Sequence, residues 1–552
     1  MNGMRSKILA LPAIVCAIAG SAAAAGYVPA PMYCADRAVK TLCPVVPSFI
    51  VPDPMLDVGV GYQGLSNDVT SAATDVQSPF DNMSWQMFVA LNWKVGQGAE
   101  NPKAGLAGDG PVVWRTYARP EDVFGGPVPN CPNPENLPRF YLISKSGGQG
   151  STDDEFKQAT GQPLIDVNGN WTLFERRLND VEVNYIRGNR LDSLAGQQVF
   201  ALQGKSVAFP IGDKTTTNGA VGAMEVKSSW RVVSEAEQAR FYSIRAVLDV
   251  EGRYVRDGKP LCATVTLGLT GLHITQNNGP QGALKPDFIW ATFEHQDNVP
   301  LADAACDPVD TLCFKNIKSS PASPNICPAT RAQGTYSFFN AACTGAVSNA
   351  PPRKMLDQKE FLWDRQPPYA GHYTTQQGAT RCGTQATRCW KVYKLTDQLN
   401  AQWRAQLAQI GSVFANYTLV GTNWGGNVEP TPGTLANGAV PAFLGNSSME
   451  TYIQANPQVG NCTGCHTGAT LAYEQPTQDP KKPKTFPADF SFLLGLAQKT
   501  CGDVDAGPIW NNQQAQQICP GVCTQYQLRW NGQWTTTQPA VMSVCGCCLS
   551  GG

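Results

Sequence analysis

Two cysteines lie three positions apart and are followed directly by a histidine in Cys462-Thr463-Gly464-Cys465-His466. With 19 Cys and 4 His in 552 residues, chance would produce about 0.005 such strings, so composition does not explain the pattern. Two thiols at this spacing can add to the vinyl groups of one haem, and the adjacent imidazole can ligate the iron. The motif therefore predicts one covalently attached haem c, with Cys462 and Cys465 as attachment sites and His466 as an axial ligand.

Two other interpretations of the motif are a CxxC disulfide with an incidental histidine and half of a zinc site. A zinc site with four ligands needs a second Cys/His pair at similar spacing. A thioredoxin-like CxxC needs a βαβ setting, whereas residues 456–461 are rich in Gly, Asn and Pro. Haem attachment is favoured over both.

In a small cytochrome c, a methionine some tens of residues after the motif usually supplies the second axial ligand. Here the only methionine after His466 is Met542, so that arrangement is absent. The upstream imidazole and thioether candidates are His273, His295, His372 and Met449. If the strands around the first two form a hairpin, those imidazoles lie several residues apart and cannot easily share one iron. Glu294 beside His295 raises the alternative of an acid–base pair over an open iron, although neighbouring strand residues face opposite ways.

The beginning of the chain has the pattern of a secretory signal. Arg5 and Lys7 precede an apolar run over residues 8–19, and Ala23-Ala24-Ala25 has the small residues of a cleavage site. We expect residues 1–25 to be removed, residues 26–77 to form an N-terminal extension, and the mature protein to be periplasmic or secreted without an integral membrane span.

Cysteine usage fits an oxidising compartment. Leaving out Cys16 of the signal and the two cysteines of the motif, 16 of the 19 cysteines remain, an even number. The sequence neighbours that could close small loops, although spacing does not prove connectivity, are Cys34/Cys43, Cys306/Cys313, Cys327/Cys343 and Cys382/Cys389.

The net charge of −1 and the charged fraction of 15% argue against nucleic acid or an anionic membrane as the main partner. At 552 residues two or more domains are expected.

The middle of the chain predicts a β-rich, mainly antiparallel body with helices around it. Helical spacing of apolar residues predicts helices over 78–93, after Thr396, and over 449–454. Short β-branched and aromatic runs predict strands over 112–116, 139–144, 222–233, 241–250, 263–275, 287–295 and 417–424. Residues 300–352, rich in Pro, Ala, Ser and Cys, are expected to form a disulfide-pinned surface insertion. The fold class is therefore α+β and multidomain.

Three strings surround the haem motif: Met449-Glu450-Thr451-Tyr452-Ile453-Gln454 before it, Asp489-Phe490-Ser491-Phe492-Leu493-Leu494 after it, and Trp230-Arg231-Val232 far upstream. Together with the motif they resemble large single-haem cytochrome c-like proteins of bacteria, over residues 78–497. The resemblance implies haem and electron transfer with a redox partner that it does not identify.

A different series of sequence motifs begins near residue 505. It contains Ala506-Gly507-Pro508-Ile509-Trp510-Asn511-Asn512, then Gly532-Gln533-Trp534-Thr535-Thr536, then Met542-Ser543-Val544. This order resembles the repeat unit of the cyanobacterial mannan-binding lectin family, which usually carries two such units where this chain has one. For residues 498–549 the resemblance implies three antiparallel strands, one helix and binding of mannose-rich glycans.

The residues of this module suit a neutral sugar. Tryptophan faces pack on the C–H side of a sugar ring, and amides and hydroxyls bind its hydroxyl groups. The candidate glycan-binding residues are Trp510, Asn511, Asn512, Gly532, Gln533, Trp534, Thr535 and Thr536. We expect Trp530 to belong to the module core. Residues 506–552 contain no Asp or Glu, so the module should bind glycans without hydrolysing them.

Six cysteines crowd this module. Cys519 and Cys523 are one helical turn apart, and Cys545 and Cys547 share one face of a strand, so bridges from helix to strand are expected. Cys548 is then left for Cys501.

The sequence as a whole predicts an exported single-haem c-type redox protein that a mannan-binding module holds on glycan surfaces. One alternative is a haem peroxidase or oxidase acting on carbohydrate or aromatic substrates. Another is a lectin or adhesin with a structural haem.

Overall fold

The structure is a computed structural model. It describes residues 27–31, 42–49, 69–71, 75–142, 158, 162–215, 219–279, 288–309, 327, 332–343, 348–351, 362–377, 380–424, 441, 443–454, 456 and 460–550. The predicted signal over 1–25, most of the predicted extension and about half of the predicted insertion lie outside these residues.

The helices are α1 Ser78–Leu91, α2 Pro102–Ala107, α3 Pro120–Phe124, α4 Asp180–Gly188, α5 Leu194–Leu202, α6 Glu235–Gln238, α7 Lys394–Gln409, α8 Cys462–His466 and α9 Asn512–Gln525. The strands are β1 Arg139–Leu142, β2 Leu173–Leu178, β3 Met224–Val232, β4 Ser243–Val250, β5 Leu261–Asn277, β6 Phe288–His295, β7 Leu301–Cys306, β8 Thr375–Gln377, β9 Thr380–Cys382, β10 Arg388–Trp390, β11 Tyr417–Asn423, β12 Cys501–Gly507, β13 Arg529–Gln538 and β14 Met542–Cys548.

A seven-stranded sheet organises the body, and the 17-residue strand β5 is its centre. On one side β5 pairs with β3, and β3 pairs with β2. On its other side the first part of β5 pairs with β4 and the second part with β6, which pairs in turn with β11. These pairings are antiparallel, as predicted, but β1 runs parallel to β4 at the edge.

One face of the sheet is apolar and packs against α1 and α7. Phe293 of β6 lies 5.0 Å from Trp85 and 4.2 Å from Phe88, measured between ring centroids. Trp85 in turn stacks on Trp403 of α7 at 5.9 Å. The alternation of β6 therefore turns Phe293 inward, and the residues on either side of it must face the other way.

The opposite face of the sheet is polar and receives the segment 443–497. Lys227, His273 and Thr292 are direct neighbours across β3, β5 and β6. Thr292 Oγ1 accepts a hydrogen bond of 3.0 Å from Asn446 Nδ2, and Ser447 Oγ donates to Glu294 Oε2 over 2.8 Å. This face positions the haem motif.

The predicted strands and helices are mostly confirmed, with three corrections. Residues 112–116 contain a 3-10 helix, Val113–Thr116, in place of a strand. Helix α7 begins at Lys394, so Thr396 lies inside it and Tyr393 is at its N-cap. Residues 449–454 form turns in place of a helix, because side chains at its start bind the backbone: Asn446 Oδ1 accepts from Ser448 N at 2.9 Å.

Disulfides cross-link the body differently from the sequence expectation. Cys131–Cys262 joins the chain before β1 to the start of β5. Cys327 pairs with Cys389 and Cys343 with Cys382, so the predicted pairs Cys327/Cys343 and Cys382/Cys389 are wrong. Cys43 and Cys306 are disulfide-bonded, whereas Cys34 and Cys313 lie outside the described residues.

The C-terminal module has the predicted architecture. Strand β14 lies between β12 and β13 in a three-stranded antiparallel sheet, and α9 packs on it. The predicted bridges Cys519–Cys545, Cys523–Cys547 and Cys501–Cys548 are confirmed. These disulfides fit an oxidising compartment. Among the described residues, none of the helices combines the length and apolar character that crossing a membrane requires.

Gly271 of β5 allows the segment 443–497 to approach the sheet closely. A Cβ atom at this position would lie 2.7 Å from Oγ of both Ser229 and Ser448, which are hydrogen-bonded to each other at 2.8 Å. We expect Gly271→Ala to lower the free energy of unfolding by about 1–2 kcal/mol, because these side chains must separate to admit the methyl group. Chemical denaturation measures the change.

Gly188→Ala is the matched control, because a Cβ atom at Gly188, at the end of α4, would meet no heavy atom within 4 Å. Equal stability of the two variants would contradict the close contact.

Candidate functional site

The motif helix α8 is fixed at the end of β11. The side chain of Asn461 caps the helix by accepting a hydrogen bond from Gly464 N at 2.8 Å. Thr463 donates through both its backbone N and its Oγ1 to Asn423 Oδ1, at 2.9 and 2.8 Å. The polar side chains inside and before the motif thus hold the two cysteines and the histidine in place.

The two thiols of the motif are not bridged. Cys462 and Cys465 are both half-buried, and they are the free cysteines among the described residues, where the other 14 are disulfide-bonded. Burial raises the pKa of both thiols, and the charge of Glu450 adds to this effect. The raised pKa favours the protonated form of both thiols.

The imidazole of His466 is held in one tautomer. Its Nδ1 lies 2.7 Å from the backbone oxygen of Phe490, and because a carbonyl can only accept, Nδ1 carries the proton. The ring packs against Trp290 and Phe492, at 5.9 and 5.2 Å between centroids. Burial lowers the pKa of His466 to about 4. The side chain is therefore neutral at pH 7, with Nε2 unprotonated and able to bind a metal.

Three charged or polar groups of the polar sheet face adjoin the motif. Glu450 lies 3.3 Å from His273 Nε2 and 3.6 Å from Lys227 Nζ, and it accepts a hydrogen bond from Asn446 N at 3.0 Å. Burial would raise the pKa of Glu450, but the charge and hydrogen bond of His273 and the charge of Lys227 outweigh burial and lower the pKa to about 2. All three groups also act electrostatically on His466.

The arrangement fits a covalently bound haem c. The two sulfurs are available to form thioethers, and the imidazole beside them is neutral with its second nitrogen already bonded to a backbone carbonyl. Axial histidines in metalloproteins are oriented by such a bond. Cys462, Cys465 and His466 would hold the group.

Of the four candidates for the sixth ligand, His273 lies beside Glu450 and acts electrostatically on His466, whereas the other three have other partners or surroundings. His295 stacks on Phe241 at 3.9 Å, and both its ring nitrogens bind backbone groups: Nε2 donates to Arg240 O at 3.0 Å and Nδ1 accepts from Asp297 N at 3.2 Å. His372 pairs with Asp364 at 3.1 Å, in the 3-10 helix Gly371–Tyr373. Met449 is fully buried, and its Cε packs at Gly271.

The suggested acid–base pair of Glu294 and His295 does not form. The carboxylate of Glu294 faces the polar side of the sheet, where it binds Arg388 and Ser447. His295 faces the other side against Phe241. Adjacent positions of one strand separate the two side chains, so this interpretation is corrected.

Sequence reasoning missed Glu450, Lys227 and the carbonyl of Phe490. Glu450 stands in a string that was identified only for its resemblance, and Lys227 interrupts a run of buried strand residues. A charged residue at alternate positions of a central strand was the available signal. No side-chain pattern could reveal a backbone carbonyl as the partner of His466.

In the C-terminal module, the start of α9 and strand β13 bring several candidate glycan residues together. Trp510 is 64% exposed. Asn511 caps α9 by accepting from Gln514 N at 2.9 Å, and Asn512 Oδ1 accepts from Trp534 Nε1 at 2.8 Å. Thr536 reaches the same loop through Ser543, whose Oγ lies 3.2 Å from Ile509 N. The side-chain oxygens of Asn511 and Asn512 are thus already engaged in hydrogen bonds within the module.

The remaining candidates lie on an irregular part of β13. The pairing with β14 shifts between Trp530 and Trp534, and Gly532 there has a φ of 88°. Trp530 Nε1 closes this bulge by donating to Gln533 O at 2.8 Å. Trp530 and Trp534 are both half-buried against the module core, while Gln533 and Thr535 are exposed. Trp510 is therefore the most accessible of the three aromatic rings.

Comparison with known proteins concerns this module. The sequence model of a family described as mannan-binding protein matches residues 512–547. The C-terminal region resembles the mannan-binding lectins. Lectin MVL of Microcystis viridis is 43% identical over 42 residues, which cover 8% of this chain and 37% of the lectin. The chain thus spans little more than a third of that relative.

Glu450→Gln tests the charge cluster on the polar sheet face. The pKa of Glu450 falls from 4.5 to about 2 on folding, so its contribution to stability is present above pH 4.5 and is lost as the pH falls toward 2. At pH 7 we expect the variant to lose about 2 kcal/mol of unfolding free energy. Denaturant unfolding from pH 7 to pH 3 measures this loss.

Below pH 4.5 the gap between the wild-type protein and the variant should narrow. A gap that stays constant down to pH 3 would show that Glu450 does not carry the charge interaction with His273 and Lys227.

Proposed function

We propose that this protein is an exported c-type haem protein that transfers electrons and is held on mannose-rich glycans by its C-terminal module. The observation that carries the haem part is the neutral His466, whose Nδ1 is bound by Phe490 O at 2.7 Å beside two unbridged thiols. The match of residues 512–547 to the mannan-binding family supports the glycan part. The disulfides support the periplasmic or secreted location that the N-terminal sequence pattern predicts.

A haem bound here would supply one-electron redox chemistry. The residues of the chain have separate tasks. Cys462 and Cys465 hold the group, and His466 presents an unprotonated nitrogen in a fixed orientation. The aromatic rings of Trp290 and Phe492 flank this imidazole and limit the access of water to it.

His273 is the residue that we propose would hold the iron together with His466. Its Nε2 faces Glu450 at 3.3 Å, and a carboxylate on one ring nitrogen is the usual partner of a ligating histidine. Nε2 makes this contact without a hydrogen bond of good geometry, and Nδ1, the nitrogen that does not face Glu450, would be the ligating atom. Two histidine ligands suit an electron carrier better than an oxidase, because they leave no position open for a substrate.

For the glycan, the start of α9 and strand β13 are the proposed binding surface. Trp510 offers an exposed ring, and the exposed amide and hydroxyl groups of Gln533 and Thr535 lie on the neighbouring bulged strand. Ring faces and neutral hydrogen-bonding groups together suit a polyol without charge. A lectin or adhesin with a structural haem is the second candidate, since the family match concerns this module alone.

Haem attachment is tested by expressing the chain with a haem-attachment system and recording the pyridine haemochrome spectrum. We expect the spectrum of a haem with two thioether bonds, and the spectrum of a single thioether for Cys465→Ala. Cys519→Ala, which removes a disulfide of the module, is the control and should keep both thioethers. A purified wild-type protein without any haemochrome would contradict the proposal.

Axial ligation by His273 is tested with carbon monoxide on the reduced protein. We expect slow or weak binding to the wild type and binding at least tenfold faster in His273→Ala, because the variant leaves the position open. His372→Ala, at a surface pair with Asp364, should behave as the wild type. Equally fast binding by all three proteins would instead indicate an open iron and favour an enzyme.

Glycan binding is tested with high-mannose oligosaccharides by isothermal titration. Trp510→Ala should weaken binding at least tenfold, because the exposed ring supplies the contact with the sugar face. Gln525→Ala, at the opposite end of α9, should leave the affinity unchanged. Absence of binding by the wild-type protein would remove the lectin part of the proposal without affecting the haem part.

A further inference from the structure

A pocket of about 540 Å³ opens beside the start of β4, on a part of the sheet that the haem motif and the glycan module do not use. The haem motif adjoins the second half of β5, whereas β4 pairs with the first half. The residues of the pocket that matter for its chemistry are Lys94, Asp109, Arg115, Phe241, Tyr242 and Val413. A pocket of this size can enclose one small organic molecule.

Lys94 lines this pocket, and its ammonium group makes no salt bridge or hydrogen bond within the described residues. Lys94 is only 7% exposed, and its Nζ lies 4.9 Å from the ring centroid of Tyr242. The charge of Asp109, which lines the same pocket, acts on Lys94, but within the described part of the chain Asp109 forms no salt bridge with Nζ. Burial of this kind lowers the pKa of Lys94. A lysine that is largely removed from water is normally paired.

The inner wall of the pocket carries excess positive charge. Arg115 lines it and forms a salt bridge with Glu175, which is almost fully buried. The same carboxylate also lies 2.6 Å from Arg177 and 3.9 Å from Arg119. Arg119 also pairs with Glu121 at 2.9 Å. Two carboxylates therefore face three guanidinium groups, and the net positive field of this cluster favours an anion near Lys94.

The remaining walls combine polar side chains, namely Gln238, Ser243 and the Glu135-paired Arg245, with an apolar part. Phe241, Leu137, Pro138 and Val413 line the pocket together with the ring of Tyr242. A small inorganic ion has no apolar surface to bury against these side chains, whereas an aromatic ring does. Asp109 at the rim opposes a second negative charge on the ligand.

We propose that this pocket binds an aromatic monocarboxylate, with the carboxylate on Lys94 and the ring against Leu137, Pro138 and Val413. The pair formed in this way would be charge-assisted and partly removed from water, and such pairs are stronger than those on the surface. The site is independent of haem attachment and of glycan binding.

Benzoate and its neutral analogue benzyl alcohol are the probes, titrated calorimetrically into the full-length protein. We expect a submillimolar Kd for benzoate and at least tenfold weaker binding of benzyl alcohol, which keeps the ring but lacks the charge. Lys94→Met, which keeps the length of the side chain, should weaken benzoate at least tenfold. Lys499→Met, at an exposed position, should leave it unchanged.

A second measurement needs no variant and serves if Lys94→Met fails to fold. Reductive methylation of lysines, read by peptide mass spectrometry, should modify Lys94 several-fold more slowly with benzoate than with benzyl alcohol or without a ligand. No heat of binding with about 10 mM benzoate would overturn the proposal. So would unchanged affinity in Lys94→Met, or unchanged methylation of Lys94 when benzoate is present.

Discussion

The charged groups on the polar face of the central sheet are the constraint on which the site depends. Lys227 and His273 are neighbours across β3 and β5, and both are largely covered by the segment that follows residue 443. The ammonium group of Lys227 in such a place must be paired, because an unpaired charge away from water costs several kcal/mol. Glu450 pairs with both, and this pairing sets where the 443–454 segment lies.

The position of that segment determines the position of the haem motif. Asn446 and Ser447 bind Thr292 and Glu294 on β6, and Gly271 leaves room for the approach. Helix α8 then reaches the end of β11, where Thr463 binds Asn423. The same sheet packs its other face on α1 and α7 through a core of aromatic rings. Because side chains alternate between the two faces of the sheet, one face packs the aromatic core and the other carries the candidate cofactor site.

The sequence predicted those parts of the fold that depend on residues close together in the chain. Strand alternation revealed β3 to β6, and the spacing of Cys519, Cys523, Cys545 and Cys547 predicted the bridges of the module. Pairing over long distances was not accessible: Cys327 prefers Cys389 to its neighbour Cys343 because the chain returns to the same place after β9. Likewise, the association of His273 with Glu450, and of His466 with a backbone carbonyl, depends on strand register and loop path.

Helix α5 connects the two candidate functional regions. Gln197 donates to the backbone oxygen of Leu494, close to the haem motif's aromatic neighbours, while the next residue, Gln198, donates to Tyr526 O of the C-terminal module. Ala195 and Val199 belong to the core of that module. The module is therefore packed onto the body by a shared helix, and a glycan bound to it would present the rest of the molecule in a defined orientation.

The account depends most on a covalent bond between the chain and a porphyrin. Peptide mass spectrometry of the exported protein tests it directly, on the peptide that contains Cys462 and Cys465. The account predicts a peptide that carries one haem on its two sulfurs, with His466 unmodified. The same peptide recovered with the two sulfurs joined as a cystine and no added haem would contradict it.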